Sequence, residues 1–445
     1  MLRKFAFIAV FVAGAAFAQQ SEAPPIEVDV VGGVNAAMAI AVPPLATPRN
    51  VTTSAGDTGP LGSQMAAVIA GNLRSSGVFV PVGPQGLRGY PYHEAAAPAY
   101  QQWRGTGASA LVTGFVEARP DGRLTVGCYL YDVTAGRELA RQGYVVAPNE
   151  WRRAAHRCSD AIYARLSGQS GYFDTRVVYV AETGPKTNRV KRIAIMDSDG
   201  TNHRYLTEGR ATVLTPRFSP DGRRLVYMSY AGRRPRVWLL DIASGQERPL
   251  VPGPAMTFAP RFSPDGRQIV FSMAVNGNSD IYVVDADGYG QPRQLTTAPG
   301  ADTSPSFSPD GRRIVFESDR SGTQQLYVMN SDGSGQRRIT FTSGARYASP
   351  VWSPRGDLIA FTRIGGGSFR VGVMTPSGSG ERLLTNSWQD EGPSWAPNGE
   401  FVMFHRTEHG SGRSALYAVS IQGGAERRLA TPQDGSDPSW SPLQN

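Results

Sequence analysis

Two histidines and a glutamate near the end of this 445-residue chain have the types and spacing of a metal site. His405-Arg-Thr-Glu-His409 matches the H-x-x-E-H order of one class of zinc protease, in which both histidines bind the metal from one face of a helix. The apolar residues before His405 predict a strand, however, and Gly410-Ser-Gly412 predicts a hairpin. A strand that runs into a turn separates the two imidazoles, so we expect no metal here.

Three acidic turns resemble the start of a calcium-binding loop, at residues 197–200, 285–288 and 330–333. They lack the later ligands and the bidentate glutamate that such loops need. The sequence also has no G-x-S-x-G nucleophile elbow and no G-x-x-x-x-G-K phosphate loop. We therefore predict ordinary turns, no cofactor and no enzymatic activity.

The two cysteines are Cys128, on a predicted strand at 124–132, and Cys158, on a predicted helix at 149–166 that Asn149 would cap. Both share a face with apolar neighbours, so both are expected to point into a core. In an oxidising compartment they could form a disulfide between helix and sheet, and the alternative is two buried thiols that never meet. No histidine or cysteine at ligand spacing favours a metal pair or a catalytic thiol.

Residues 1–18 have the composition of a secretory signal. Arg3 and Lys4 precede a short apolar run, and Ala16-Phe-Ala18 provides small residues for cleavage. The run is too short to span a bilayer, and Gln19 stands where a lipid anchor would need cysteine. The remaining net charge is small and its arginines are scattered, which does not favour nucleic-acid binding. We predict an exported, soluble chain.

One phrase of about seven residues recurs six times and predicts the architecture. Its aromatic residue falls every 43 to 45 positions, at Phe218, Phe262, Phe307, Trp352, Trp395 and Trp440. Between copies the sequence contains only short strand-like runs and turns, which is typical of a β-propeller blade of four strands. The last copy provides one strand, and three strands near residues 175–207 have no copy before them. Together these complete a mixed blade, giving six blades with the C-terminal strand closing the ring near Val177.

The segment before the propeller alternates helices and strands and predicts a compact α/β domain. We expect the signal at 1–18, the α/β domain with a mobile N-terminal tail at 19–168, and the propeller at 172–445. The fold class is thus an α/β N-terminal domain followed by an all-β six-bladed β-propeller that is closed by the C-terminal strand.

The repeated Phe/Trp-Ser-Pro-Asp-Gly phrase resembles the blades of the TolB family, the periplasmic component of Tol-Pal envelope systems. Propellers of prolyl oligopeptidase-type enzymes and some polysaccharide lyases carry similar phrases. The order of signal, α/β domain and six blades is also similar to the family. So are three segments of the chain: the ending Pro438-Ser-Trp-Ser-Pro442, the helical segment 66–77 and the strand around Ala110-Leu-Val-Thr-Gly-Phe-Val116.

The resemblance implies a monomeric, periplasmic binding protein that supports outer-membrane integrity and envelope constriction during cell division. In this family the propeller binds Pal, a peptidoglycan-associated outer-membrane lipoprotein, around one channel mouth. Association with the outer membrane is then peripheral, through Pal. The mature N-terminus binds the periplasmic domain of TolA and docks on its own domain or is released. The alternative is an envelope enzyme or a solute-binding sensor that uses the channel.

The expected Pal contacts are the residues before each repeated proline, in loops that enter the innermost strands. They are Thr215, Thr257, Phe258, Ala259, Asp302, Thr303, Ser304, Tyr347, Ser349, Asp390, Glu391 and Asp437. The expected TolA-binding tail comprises Ser21, Glu22, Ile26, Glu27, Val28 and Asp29.

The sequence departs from the family pattern at three positions. Arg355 and Asn398 replace the turn aspartate in two blades, and a second proline at Pro44 shifts the apolar residue near the docking segment.

Overall fold

The computed structural model describes residues 37–232, 234–287 and 290–444, which belong to one compact unit. The predicted signal at 1–18 and the predicted N-terminal tail lie outside the described residues. Among the helices of these ranges, none has the length and apolar character that crossing a bilayer requires.

The first domain is a five-stranded sheet with two long helices against it. Its elements are β1 (Met38–Ala41), β2 (Thr52–Thr53), β3 (Gly56–Asp57), α1 (Thr58–Ser75), β4 (Phe79–Val82), α2 (Tyr100–Arg104), β5 (Ala110–Ala118), β6 (Leu124–Asp132), β7 (Arg137–Val146) and α3 (Trp151–Ser167), with short 3₁₀ turns at Tyr92–Ala95 and Pro148–Glu150. The sheet order is β4-β1-β5-β6-β7, with β1 parallel to both of its neighbours and β5 to β7 antiparallel.

The helices pack on the sheet because their apolar residues recur at helical spacing. Leu61, Met65, Ile69 and Leu73 of α1 are buried in one cluster with Ile162 of α3. The predicted α/β class is confirmed.

The predicted cap of α3 is wrong. Asn149 lies inside the 3₁₀ turn Pro148–Glu150, and Glu150 occupies the capping position without a side-chain cap. Pro148 explains the difference, because a proline at the first position of a helical turn starts that turn one residue before Asn149.

The propeller consists of six four-stranded antiparallel sheets. The mixed blade contains β8 (Arg176–Thr183), β9 (Val190–Asp197) and β10 (Arg204–Tyr205), together with the C-terminal strand β31 (Asp434–Trp440). The next two blades contain β11 (Val213–Phe218), β12 (Arg224–Ser229), β13 (Arg236–Asp241) and β14 (Glu247–Pro249), then β15 (Met256–Phe262), β16 (Gln268–Val275), β17 (Asn278–Asp285) and β18 (Arg293–Gln294). The last three contain β19 (Asp302–Phe307), β20 (Arg313–Ser318), β21 (Gln325–Asn330) and β22 (Arg337–Arg338), then β23 (Arg346–Trp352), β24 (Ile359–Gly365), β25 (Ser368–Met374) and β26 (Arg382–Leu383), and finally β27 (Asp390–Trp395), β28 (Phe401–Thr407), β29 (Ser414–Ser420) and β30 (Arg427–Arg428).

The ring closes as the sequence predicted. β31 pairs with β8 to complete the mixed blade β31-β8-β9-β10, with Trp440 opposite Val177. We call β11, β15, β19, β23, β27 and β31 the inner strands, because they alone contact their counterparts in both neighbouring blades among the described strands. Closure of the ring removes the two free ends that an open array of blades would expose.

The two faces of the ring differ in what covers them. The ends of the inner strands face the first domain: Asn398 Nδ2 donates to Ser170 O (3.0 Å), and the ring of Tyr172 packs against Trp440 at 5.7 Å. We call this the domain face. The inner strands begin on the opposite side, which we call the open face.

The turn after each inner strand explains the repeated Asp-Gly. In the first turn, Asp221 Oδ1 accepts from Arg223 N (3.0 Å). Asn398 keeps this role, since its Oδ1 accepts from Glu400 N (3.0 Å). In the Arg355 blade, Asp357 instead accepts from Ser353 Oγ (2.9 Å). The two sequence departures therefore preserve the turn.

Candidate protein-binding face of the propeller

Each inner strand carries one residue with left-handed backbone near its start. Five of these are not glycine: Thr215 (φ 49°), Ala259 (φ 50°), Ser304 (φ 52°), Ser349 (φ 52°) and Asp437 (φ 50°); the sixth is Gly392 (φ 65°). The strand register shifts at every one of them, which marks a β-bulge. Such strained positions persist only where the surroundings hold them, and they cluster at functional sites.

The bulges are held by hydrogen bonds between blades. Ser349 N donates to Glu317 Oε1 (3.0 Å), and Ser304 N donates to Ser272 Oγ (3.2 Å). Asp437 N lies 3.4 Å from His405 Nδ1, and Thr215 N donates to Asp437 Oδ2 (3.2 Å). In these four bulges the unpaired N–H is thus satisfied by a side chain of the preceding blade.

The predicted entry loops are not loops. The predicted Pal contacts belong to the inner strands, and four of the twelve side chains are buried: Thr257, Asp302, Tyr347 and Asp390. Each has an internal role that explains its burial. Asp302 pairs with Arg320 (2.5 Å), Asp390 pairs with Arg406 (2.6 Å), Tyr347 donates to Glu381 (2.7 Å), and Thr257 accepts from Val237 N (2.8 Å). Their side chains are not available to a partner on this face.

The other eight predicted contacts are partly exposed at the channel mouth. They are Thr215, Phe258, Ala259, Thr303, Ser304, Ser349, Glu391 and Asp437. All lie in the first half of an inner strand, so the structure brings them together on the open face.

The sequence reading missed the exposed apolar side chains that surround these eight residues. Tyr230, Met256, Val275, Phe341 and Trp388 are all exposed, Phe341 by 71% and Trp388 by 44%. Phe341 and Trp388 precede inner strands and Met256 begins one. Val275 ends the second strand of its blade and Tyr230 follows one, so all five positions are on the open face. Large apolar groups grouped on one surface mark a site of protein contact. The available signal was an aromatic residue inside a turn-rich segment, as in Thr340-Phe-Thr-Ser-Gly344.

The domain face contains a cavity of about 500 Å³ between α1, α3 and the propeller. Asn72, Arg152, Tyr172, Asp199 and Arg427 are among the residues that line it. The predicted TolA-binding tail, Ser21 to Asp29, lies outside the described residues, so TolA binding by it stays a prediction.

A polar cluster borders the cavity and joins the two domains. In the described part of the chain, one group of three side chains brings potential metal ligands within 4.8 Å of one another: His156, Asp197 and Asp199. Arg152 pairs with Asp199 at the same place. Because a cation here would lie beside the Arg152 guanidinium, we interpret the group as an interdomain ion-pair cluster.

Burial controls the charges in this cluster. It lowers the pKa of His156, against the opposite effect of Asp199, so the imidazole is neutral near pH 7. Burial also opposes ionisation of Asp199, but His156, Thr201 and Arg152 outweigh it and hold the pKa of Asp199 below its usual value. The cluster therefore contains the Asp199 carboxylate, a guanidinium and a neutral imidazole, together with Asp197, whose pKa burial raises.

The two cysteines are buried in the core of the first domain and both are free thiols. Burial raises the pKa of the Cys158 thiol well above its usual value, and a contact with Cys128 adds to the effect. The two side chains therefore meet, and a disulfide between them stays a prediction.

The histidine pair has the geometry that its sequence predicted. His405 lies on β28, whereas His409 lies beyond the end of that strand and packs edge-on against Trp388, 4.8 Å between ring centres. His405 instead faces the bulge at Asp437.

These observations define a two-domain propeller protein with one face covered by its own α/β domain and the other face open. Family models match both parts: the TolB amino-terminal domain over residues 26–139 and the TolB β-propeller domain over residues 163–444. The chain belongs to the TolB family.

Individual relatives agree with the family models. The chain is 55% identical over 213 residues to the "Tol-Pal system protein TolB" of Zymomonas mobilis, covering 48% of this chain and 46% of that protein. It is 58% identical over 212 residues to the protein of the same name from Rhizorhabdus wittichii, covering 48% of each. The matches thus span about half the length of these relatives. The crystal structure of TolB from Acinetobacter baumannii superposes with a TM-score of 0.79 at 28% identity, covering 92% of this chain and 97% of that one.

Proposed function

We propose that this chain is the periplasmic TolB component of a Tol-Pal system and acts as a binding scaffold, without catalysis. Its open face binds the Pal lipoprotein and its N-terminal tail binds TolA, which supports outer-membrane integrity and envelope constriction during division. Family membership and the names of the relatives support the assignment to the system.

The observation that carries the Pal proposal is the set of exposed apolar side chains on the open face. Tyr230, Met256, Val275, Phe341 and Trp388 surround a channel mouth that the first domain does not cover. Aromatic side chains of this kind act as anchors in protein interfaces, and the loss of one anchor commonly costs about 2 kcal/mol or more of binding free energy.

Calorimetric titration of the exported chain, residues 19–445, with the soluble domain of Pal from the same organism tests this proposal. We expect saturable 1:1 binding. Phe341→Ala and Trp388→Ala should each weaken it roughly 30-fold, the equivalent of about 2 kcal/mol.

Val145→Ala is the matched control, because Val145 is equally apolar and exposed but lies on β7 of the first domain. It should leave the affinity unchanged. Absence of binding at high protein concentration, or equal losses in all three variants, would refute the assignment of this face.

The tail is tested separately. Removal of residues 19–31 should abolish binding of the TolA periplasmic domain while the complex with Pal still forms. Unchanged TolA binding by the truncated chain would exclude Ser21 to Asp29 as the contact.

A further inference from the structure

Two arginines lie at equivalent positions of neighbouring inner strands that contact each other inside the ring. Arg217 on β11 and Arg261 on β15 occupy the same repeat position, directly after the repeated proline. In three other blades this position holds serine, at Ser306, Ser394 and Ser439, and in the sixth it holds Val351. Two adjacent blades thus place a cation where the rest of the ring places a small or neutral side chain.

The partners of these arginines do not balance their charge. Arg217 is buried, and its Nη1 donates to two carbonyl oxygens, Pro216 O (2.8 Å) and Pro438 O (3.4 Å). The Arg261 guanidinium makes no hydrogen bond or ion pair with any residue in the described ranges, although its side chain is half-buried. The carbonyl contacts leave a full positive charge on Arg217, and in the described ranges no partner offsets the charge of Arg261.

The positive charge of Arg217 acts on Arg261. Burial lowers the pKa of Arg261 well below its usual range, and the positive charge of Arg217 lowers it further. Burial also lowers the pKa of Arg217, where Asp437 acts in the opposite direction. Asp437 is thus a carboxylate that acts on Arg217, and its Oδ2 already accepts from Thr215 N.

We propose that Arg217 and Arg261 form an oxyanion-binding site in the propeller channel. Guanidinium groups bind phosphate and carboxylate through paired N–H donors, and an oxyanion between them would replace repulsion with two charge-assisted contacts. The ligand is a small anion from solution or a carboxylate that a docked partner inserts through the open face.

Inorganic phosphate is the first probe. Calorimetric titration into the full mature chain, with chloride replacing phosphate in the reference, should show saturable 1:1 binding. Arg261→Ser, which copies the residue of three other blades, should weaken binding roughly 10- to 100-fold, as expected for a lost charge-assisted hydrogen bond. Arg267→Ser is the control, because Arg267 is exposed and lies in the turn of the same blade.

Thermal unfolding gives a readout that does not depend on heat of binding. Phosphate should raise Tm of the parent chain and of Arg267→Ser relative to chloride at equal ionic strength, but not Tm of Arg261→Ser. In chloride alone, Arg261→Ser should be at least as stable as the parent, because it removes an uncompensated buried charge. Equal Tm gains in all three proteins, or no gain in any, would overturn the proposal.

Acetate distinguishes the two sources of the anion. A site for an inserted carboxylate binds acetate as well as phosphate, and phosphate then weakens the complex with Pal competitively. A site for free phosphate shows no acetate binding and leaves the Pal affinity unchanged. The competition between phosphate and Pal rests on the proposed function, whereas the phosphate titration does not. If either experiment fails, the result of the other can still be interpreted.

Discussion

The Nε2 atom of His156, on α3, lies 3.6 Å from Oδ2 of Asp199, in the propeller turn between β9 and β10. Its other nitrogen, Nδ1, is 2.9 Å from Asn72 Nδ2 on α1, which donates to it when the imidazole proton is on Nε2. Nε2 is buried and has no hydrogen-bond partner within the described residues. One side chain therefore connects both long helices to the ring.

Removal of this side chain should weaken the connection. His156→Ala leaves a cavity and removes one of the two acceptors of the buried Asn72 amide, the other being Ser159 Oγ. Together these effects cost about 2–4 kcal/mol of unfolding free energy. Urea unfolding followed by fluorescence measures the change. His93→Ala is the control, since His93 is exposed on a short 3₁₀ turn and should change the stability little. Equal stabilities of the two variants would contradict the role of His156.

The same residue predicts a pH dependence. The folded pKa of His156 lies below its ordinary value of 6.5, so between these two values the unfolded chain binds more protons. Stability is then fully present above pH 6.5 and falls as the pH decreases through this window. Asp160 acts in the opposite direction, because burial raises its pKa to about 6 and the folded state takes up that proton first.

The parent chain should be compared with His156→Gln over pH 5 to 8 by urea unfolding, because the Asp160 contribution cancels in the difference. The difference in unfolding free energy should shrink as the pH decreases below 6.5, since only the parent contains the buried imidazole. A difference that stays constant over this range would show that His156 does not titrate as its burial implies.

The sequence predicted the ring well because its signal is periodic. An aromatic residue every 43 to 45 positions fixes the number of blades, and the closing pair of Trp440 with Val177 follows from the count. The start of α3 was predicted less well, because the periodicity of the helix does not report the 3₁₀ turn that Pro148 begins.

Burial within the open face could not be predicted from one blade alone. Asp302 and Asp390 were expected at the surface, yet each is neutralised by an arginine 16 to 18 residues later, Arg320 and Arg406. Polar residues before a proline look like a loop, and only the register shows that they form a bulged strand. Superposing the repeats would have revealed the recurring Asp–Arg pair.

We predict that Cys128 and Cys158 form a disulfide when the chain is exported. The bond would close a loop of about 30 residues and stabilise the domain by roughly 2–4 kcal/mol. It should form during folding, since burial suppresses the Cys158 thiolate afterwards. Thiol labelling after unfolding without reductant should detect no free cysteine, and dithiothreitol should lower Tm of the parent but not of the Cys128→Ser/Cys158→Ser variant. Two labelled thiols would establish the alternative of buried, unbonded cysteines.

The strained bulges predict a substitution that stabilises the protein. Thr215 is β-branched at φ 49°, and its buried hydroxyl has no partner within the described residues. Thr215→Gly removes both costs and should raise the unfolding free energy by about 1 kcal/mol.

Two control variants should lower the unfolding free energy instead. Thr303 lies one residue before the equivalent bulge at Ser304 and pairs regularly with Glu317, so Thr303→Gly should lower it by about 1 kcal/mol. The converse change, Gly392→Thr, should lower it by about 1–3 kcal/mol, because a Cβ there meets His405 Nδ1 at 3.2 Å. Urea unfolding of the three variants checks the signs, and a loss of stability in Thr215→Gly would mean that the bulge is not strained.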